Sequence, residues 1–119
     1  MMPDGGCFVE YSTLFFRPVK PVHQPPVRLT ARFEGHVQGV GFRYTAIEFA
    51  ERLGVTEGYV MNLMNGDVEL VAEGPEETLR ELVALVQRSH LGRYILRMDQ
   101  QWSPARGGLN GFELRFTEK

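Results

Sequence analysis

The sequence has very few residues that could form a disulfide or a zinc site. Cys7 is its one cysteine, so no internal disulfide can form. Together with the three histidines it does not give the spacing of a zinc site. A single free thiol also fits a reducing compartment.

A strong charge of one sign and long apolar runs are missing as well. The formal net charge is −2 and the isoelectric point about 5.9, so no basic footprint for nucleic acid or anionic membranes is present. The apolar runs are too short to cross a bilayer, and Asp4 stands where a signal peptide has a basic residue. We therefore predict a cytoplasmic protein that binds neither nucleic acid nor membranes.

Prolines divide the chain into two parts. Pro18, Pro21, Pro25 and Pro26 disfavour both helix and sheet pairing, so residues 1–27 are predicted to be an N-terminal extension that ends in a proline-rich linker. The apolar residues 7–16 could form a strand or lie on the surface of a neighbour. It is at least as plausible that the extension comes from a vector or from a misplaced start codon. Residues 28–119 are predicted to be one folded domain, long enough to bury a core.

Hydrophobic periodicity within this domain predicts five strands and two helices. The order is strand, helix, strand, strand, helix, strand, followed by a short C-terminal strand. It is typical of an α+β, ferredoxin-like βαββαβ sandwich, with two helices on one face of an antiparallel sheet. The strand patterns begin at Arg28, Tyr59, Val68, Tyr94 and Phe112, and the helical repeats cover Ala46 to Leu53 and Leu79 to Val86.

The predicted topology brings two candidate functional segments together. A crossover helix joins the first two strands, so they should run parallel and end at the same edge of the sheet. A glycine-rich stretch follows the first strand, and Asn62 lies near the end of the second. We therefore expect Asn62 to lie close to that stretch.

Residues 35–43, Gly-His-Val-Gln-Gly-Val-Gly-Phe-Arg, are called the glycine loop here. A loop of this kind directs several backbone N–H groups toward one point at the positive end of a helix, and it carries no acidic side chain. The guanidinium of Arg43 can hold two phosphate oxygens at once. We predict an anion cradle whose phosphate-binding residues are Gln38, Gly39, Val40, Gly41, Phe42 and Arg43. Gln38, Val40 and Phe42 should act mainly through their N–H groups, and Arg43 through its guanidinium.

Two motifs resemble the signatures of the acylphosphatase family. The first is Gly-x-Val-Gln-Gly-Val-x-Phe-Arg in the glycine loop. The second is Gly58-Tyr59-Val60-Met61-Asn62, followed by Gly66, Val68 and Gly74. The resemblance extends over roughly residues 28 to 117.

The resemblance implies an enzyme that hydrolyses the carboxyl–phosphate bond of small acyl phosphates, releasing a carboxylate and inorganic phosphate. Arg43 would bind the phosphate, and Asn62 would orient the attacking water. No metal, cofactor or protein nucleophile is implied, and we expect a monomer. His36 is expected to point to solvent, and Glu69 and Glu73 are expected to be solvated.

Three alternatives stay open at this point. The fold could serve as a non-catalytic module that binds phosphate or acyl phosphate, although such a module has no need of Asn62. It could be the N-terminal domain of a hydrogenase-maturation carbamoyltransferase. In those proteins proline usually follows the loop arginine, whereas Tyr44 follows it here. An RNA-binding sheet has the same element order, but the third strand offers acidic residues where exposed aromatic ones are needed.

Overall fold

The computed structural model describes residues 25–117, so the predicted N-terminal extension lies almost wholly outside the described residues. No helix within this range is long and apolar enough to cross a membrane. The elements follow in the order β1 (Val27–Gly35), α1 (Phe42–Leu53), β2 (Glu57–Asn62), β3 (Val68–Gly74), α2 (Glu76–Arg88), a 3-10 helix (His90–Tyr94), β4 (Ile95–Pro104) and β5 (Phe112–Thr117).

The strands form one sheet in the order β4-β1-β3-β2-β5, which confirms the ferredoxin-like α+β prediction. β1 and β2 both pair antiparallel with β3, so they run parallel to each other and end at the same edge, as predicted. The sheet is mixed rather than antiparallel throughout, because β5 pairs parallel with β2. β4 ends beside the start of β1, so the chain crosses that end of the sheet, and β5 then runs back along β2.

The core lies between one face of the sheet and the two helices. Side chains at alternate positions of the central strands point toward the helices. Phe33 on β1 and Phe42 on α1 meet there with ring centroids 5.0 Å apart. The most buried apolar side chains on the two sides of this layer are Leu29, Ala31, Phe33, Val60, Val68, Leu70 and Ala72 from the sheet, and Phe42, Ala46, Ala50, Leu79, Leu82, Val83 and Val86 from the helices.

Several boundaries differ from the sequence prediction by one or two residues. β2 ends at Asn62 rather than Leu63, because Leu63 already belongs to the turn and its amide donates to the carbonyl of Asp67. Tyr94 lies in the 3-10 helix, and β4 extends to Pro104 rather than ending at Trp102. Apolar alternation marks the middle of a strand better than its ends.

Glu73 was expected to be solvated, and this expectation was wrong. The residue is only 7% exposed, and its carboxylate accepts hydrogen bonds from Nε of Arg28 at 2.6 Å and from the amides of Arg106 and Gly107 at 2.8 and 3.1 Å. The physical reason is that the connection between β4 and β5 crosses the sheet at this position. Glu73 and Arg28 therefore anchor the segment that leads into β5.

The contacts of Glu73 determine its ionisation. Burial by itself would raise the pKa of the Glu73 carboxyl. The hydrogen bonds from the Arg106 amide, from Arg28 and from the Gly107 amide outweigh burial, together with the positive charge of Arg28, and hold the pKa below its usual value. The ionised carboxylate is thus the form that the fold stabilises.

Replacing Glu73 by glutamine should lower the free energy of unfolding at pH 7 by about 3 kcal/mol, because the charge of Arg28, whose side chain is only 15% exposed, loses its partner. The folded-state pKa is depressed, so the contribution of Glu73 is complete above the unfolded-state pKa of about 4.3 and is lost as pH falls below it. Urea denaturation between pH 3 and pH 7 should therefore show a smaller loss of stability on acidification in Glu73→Gln than in the wild type.

Glu81→Gln is the matched control, since Glu81 pairs with Arg88 on the solvated surface of α2. Its effect should stay within about 0.5 kcal/mol. Equal pH slopes for the wild type and Glu73→Gln would contradict the assignment of the acid-sensitive group.

Candidate active site

The glycine loop leaves the end of β1 and leads into the first turn of α1. Gly39 and Gly41 both adopt left-handed conformations, with φ of 82° and 77°. Gly41 is the N-cap of α1 and provides no side-chain cap. Within residues 25–117, no acceptor takes a hydrogen bond from the amides of Gly39, Gly41, Phe42 or Arg43. These N–H groups are donors at the positive end of a helix, which is the arrangement that binds anions.

The side chain of Gln38 ties this loop to the turn between β2 and β3. Its Nε2 donates to the carbonyl oxygens of Leu63 and Asp67, each at 2.8 Å. Leu63 directly follows Asn62, so the two sequence motifs are joined here by hydrogen bonds. The sequence prediction assigned Gln38 mainly a backbone N–H. The signal for this additional role is that Gln38 is the loop's one amide side chain.

Arg43 is the second residue of α1, and its guanidinium turns toward β5. Nη1 donates to the carbonyl oxygen of Arg115 at 2.7 Å, and Cζ lies 5.7 Å from the ring centroid of Phe116. A guanidinium has five N–H donors, so one hydrogen bond orients the group and four donors are left for a ligand. The role of the β5 carbonyl has no signal in the sequence, because any residue supplies one.

Arg115 itself is directed away from this site. Its guanidinium lies 3.9 Å from the ring centroid of Tyr59, and its Nε donates to Glu113 at 2.9 Å. Burial and the neighbouring Glu69 carboxylate raise the pKa of Tyr59, so its hydroxyl stays protonated and donates to Glu69 at 3.3 Å. Arg115 thus contributes its carbonyl to the site, while its charge belongs to the opposite face of the sheet.

Asn62 is the last residue of β2, at the edge where the glycine loop lies. It pairs with Val68 on β3 and with Thr117 on β5, while the preceding Met61 pairs with Arg115. Val60 and Val68 are buried on the helix-covered face, so Asn62 lies on that face too. Its side-chain amide makes no hydrogen bond with any other described residue. The structure therefore brings Asn62 and Arg43 to the same end of β5.

The other candidate groups lie elsewhere or point outward. His36 is exposed, and its backbone N–H donates to the carbonyl of Tyr94 at 3.0 Å. Glu73 is near the end of β3 that is remote from the loop. In the described part of the chain, no group of three or more histidine, cysteine, aspartate or glutamate residues is arranged to hold a metal ion.

An α+β sandwich with an uncapped glycine loop and an arginine at one sheet edge has the features of an anion-binding domain. The family model "Acylphosphatase" matches residues 29–114. The chain belongs to the acylphosphatase family.

Individual relatives agree with this family. The chain is 43% identical over 90 residues to an acylphosphatase of Nocardia farcinica, covering 76% of this chain and 89% of the relative. It is 46% identical over 89 residues to one of Acidothermus cellulolyticus, covering 72% and 84%. The crystal structure of acylphosphatase from Bacillus subtilis superimposes with a TM-score of 0.67 at 31% identity, covering 74% of this chain and 97% of that one. These relatives favour an enzyme over a non-catalytic binding module.

Replacing Gln38 by alanine should weaken both the fold and the site. The carbonyl of Leu63 still accepts from the amide of Gly66, and the carbonyl of Asp67 from the amide of Leu63. The free energy of unfolding should therefore fall by only about 1–2 kcal/mol. Freed from the turn, the loop should shift, and kcat/KM for an acyl phosphate should fall about 10- to 100-fold. Urea denaturation and steady-state kinetics measure the two effects.

Gln38→Glu is the sharper variant, because it keeps the shape of the side chain but places an acceptor against two carbonyl oxygens. It should be at least as damaging as Gln38→Ala. Gln87→Ala, at an exposed amide on α2, should leave both quantities unchanged. If Gln38→Glu behaves like the wild type, the amide does not hold the loop.

Proposed function

We propose that this chain hydrolyses the carboxyl–phosphate bond of small acyl phosphates, with Arg43 and the loop amides binding the phosphoryl group and Asn62 orienting the attacking water. One observation carries the proposal: the side chain of Gln38 fastens the anion-binding loop to the residue that follows Asn62. This hydrogen bond supports the proposal because it holds the phosphate-binding loop next to the strand end that carries Asn62.

Charge neutralisation is the first task of such a site. The phosphoryl oxygens carry negative charge in the substrate and in a loose transition state. The donors available to them are the amides at the start of α1 and the four N–H groups of Arg43 that do not bind Arg115. Because these donors are held by the fold before the substrate arrives, little reorganisation is needed during the reaction. They supply positive potential at the place where a metal ion would otherwise be required.

Positioning of the water is the second task. The carboxamide of Asn62 has an oxygen that accepts and an NH₂ that donates, so it can hold a water molecule with its lone pair toward phosphorus. The attack breaks the bond between phosphorus and the bridging oxygen, and the acyl group leaves as a carboxylate. A carboxylate is a weak base and leaves without protonation, and a phosphate oxygen can take the proton of the water.

Three further properties belong to this proposal. The reaction is metal-independent, because guanidinium and amide donors take the role of a cation. The protein is proposed to act as a monomer. It works in the cytoplasm, which agrees with its single cysteine and its small net charge.

Arg43→Ala should abolish phosphate binding and lower turnover of benzoyl phosphate by about 10³- to 10⁵-fold, the range seen when an arginine that stabilises phosphoryl transfer is removed. Arg43→Lys should recover little, because an ammonium keeps the charge but loses the planar fork. Rates with excess chelator, and inhibition by inorganic phosphate, measure the two effects.

Arg52→Ala is the matched control, since Arg52 lies in the last turn of the same helix. It should keep normal kinetics. Full activity in Arg43→Ala would place the site elsewhere, and loss of wild-type activity in chelator would overturn metal independence.

Asn62→Ala should lower kcat by about 10²- to 10³-fold, the cost of removing one positioned hydrogen-bonding group at such a site. Inhibition by inorganic phosphate should change little, because the cradle and Arg43 stay in place. Weakening of phosphate inhibition in parallel with kcat would instead make Asn62 a phosphate ligand. Asn62→Asp should weaken phosphate binding as well, through repulsion between two anions.

A further inference from the structure

Phe116 is a large aromatic residue that the fold leaves in solvent. It is 75% exposed, although aromatic side chains usually contribute to a core. It lies near the end of β5, where the neighbouring Arg115 carbonyl orients Arg43. Its ring is 5.7 Å from the guanidinium carbon. An apolar surface thus stands directly beside the cation to which the phosphoryl group is assigned.

We propose that Phe116 forms a subsite for the acyl substituent and makes the enzyme selective for aromatic acyl phosphates over small aliphatic ones. This inference rests on the proposed function. One bridging oxygen separates the phosphorus of an acyl phosphate from its acyl carbon. A phosphoryl group on Arg43 therefore holds the acyl group close to that cation, at the mouth of the loop where Phe116 lies.

The chemistry of the ring favours an aromatic substituent. Aromatic rings attract one another in offset-stacked or edge-to-face arrangements, beyond the gain from area buried. A phenyl substituent is large enough to cover part of the exposed ring, whereas the methyl group of acetyl phosphate covers little. The structure also offers a competing role for Phe116, since its ring could hold the Arg43 guanidinium through a cation–π contact.

Steady-state kinetics with benzoyl phosphate and acetyl phosphate distinguish the two roles. In Phe116→Ala and in the milder Phe116→Leu, kcat/KM for benzoyl phosphate should fall about 3- to 10-fold relative to that for acetyl phosphate. Phe116→Tyr should keep the wild-type ratio. Inhibition by inorganic phosphate should stay unchanged in all three variants, because phosphate has no acyl group to contact the ring.

Leu96→Ala is the matched control, because Leu96 is equally exposed, at 78%, on the opposite edge strand β4. It should not change the ratio. If the ratio of kcat/KM for benzoyl phosphate to that for acetyl phosphate is unchanged in Phe116→Leu, the subsite is overturned, whether both values are retained or both fall together. If both values fall together and inhibition by phosphate also weakens, the ring instead serves to hold the Arg43 guanidinium. Failure of the wild type to hydrolyse either substrate would overturn the proposed function itself, and the subsite with it.

Discussion

The pair of hydrogen bonds from the Gln38 side chain is the constraint on which the site depends. A loop with two glycines in left-handed conformations has many alternatives in the unfolded chain, so ordering it is costly. The amides of the loop near α1 do not offset this loss of conformational entropy, because in the described structure they donate to no protein acceptor. Gln38 offsets part of it by joining the loop to the turn after Asn62. The hydrogen bonds that order the loop also hold it close to Asn62, the residue proposed to orient the attacking water.

β5 supplies the second constraint and connects the site with the opposite end of the sheet. At its start, Phe112 lies so close to Gly58 that a Cβ there would stand 2.6 Å from the ring. The segment before it is anchored by Glu73 and Arg28. At its other end, the carbonyl of Arg115 receives Arg43. The small residue at Gly58 and the buried carboxylate therefore act on the site indirectly, by holding the strand that orients the guanidinium.

The features that the sequence predicts arise from local patterns, whereas those that it misses arise from contacts between distant segments. The element order and the meeting of the glycine loop with the end of β2 follow from local patterns and from the handedness of a crossover, both of which a sequence displays. Alternation correctly placed Glu73 on the polar face of β3. It could not show that a segment more than thirty residues away covers that face. The contact of Arg43 with a carbonyl, and the parallel pairing of β5, likewise arise only from the tertiary arrangement.

The site also concentrates features that a fold selected for stability alone would avoid. A helix start is usually stabilised by a serine, threonine, aspartate or asparagine cap, whereas α1 begins at Gly41 without one. An aspartate there would satisfy the first-turn amides and place negative charge at the proposed phosphoryl site. Phe116 is exposed and the amide of Asn62 makes no hydrogen bond with the rest of the described structure, although both lie beside a well-packed core. These local costs share one sheet edge, and each leaves a group free for a ligand: a hydrogen-bond donor, a side-chain amide or an apolar surface. Their common location is what function, rather than folding, explains.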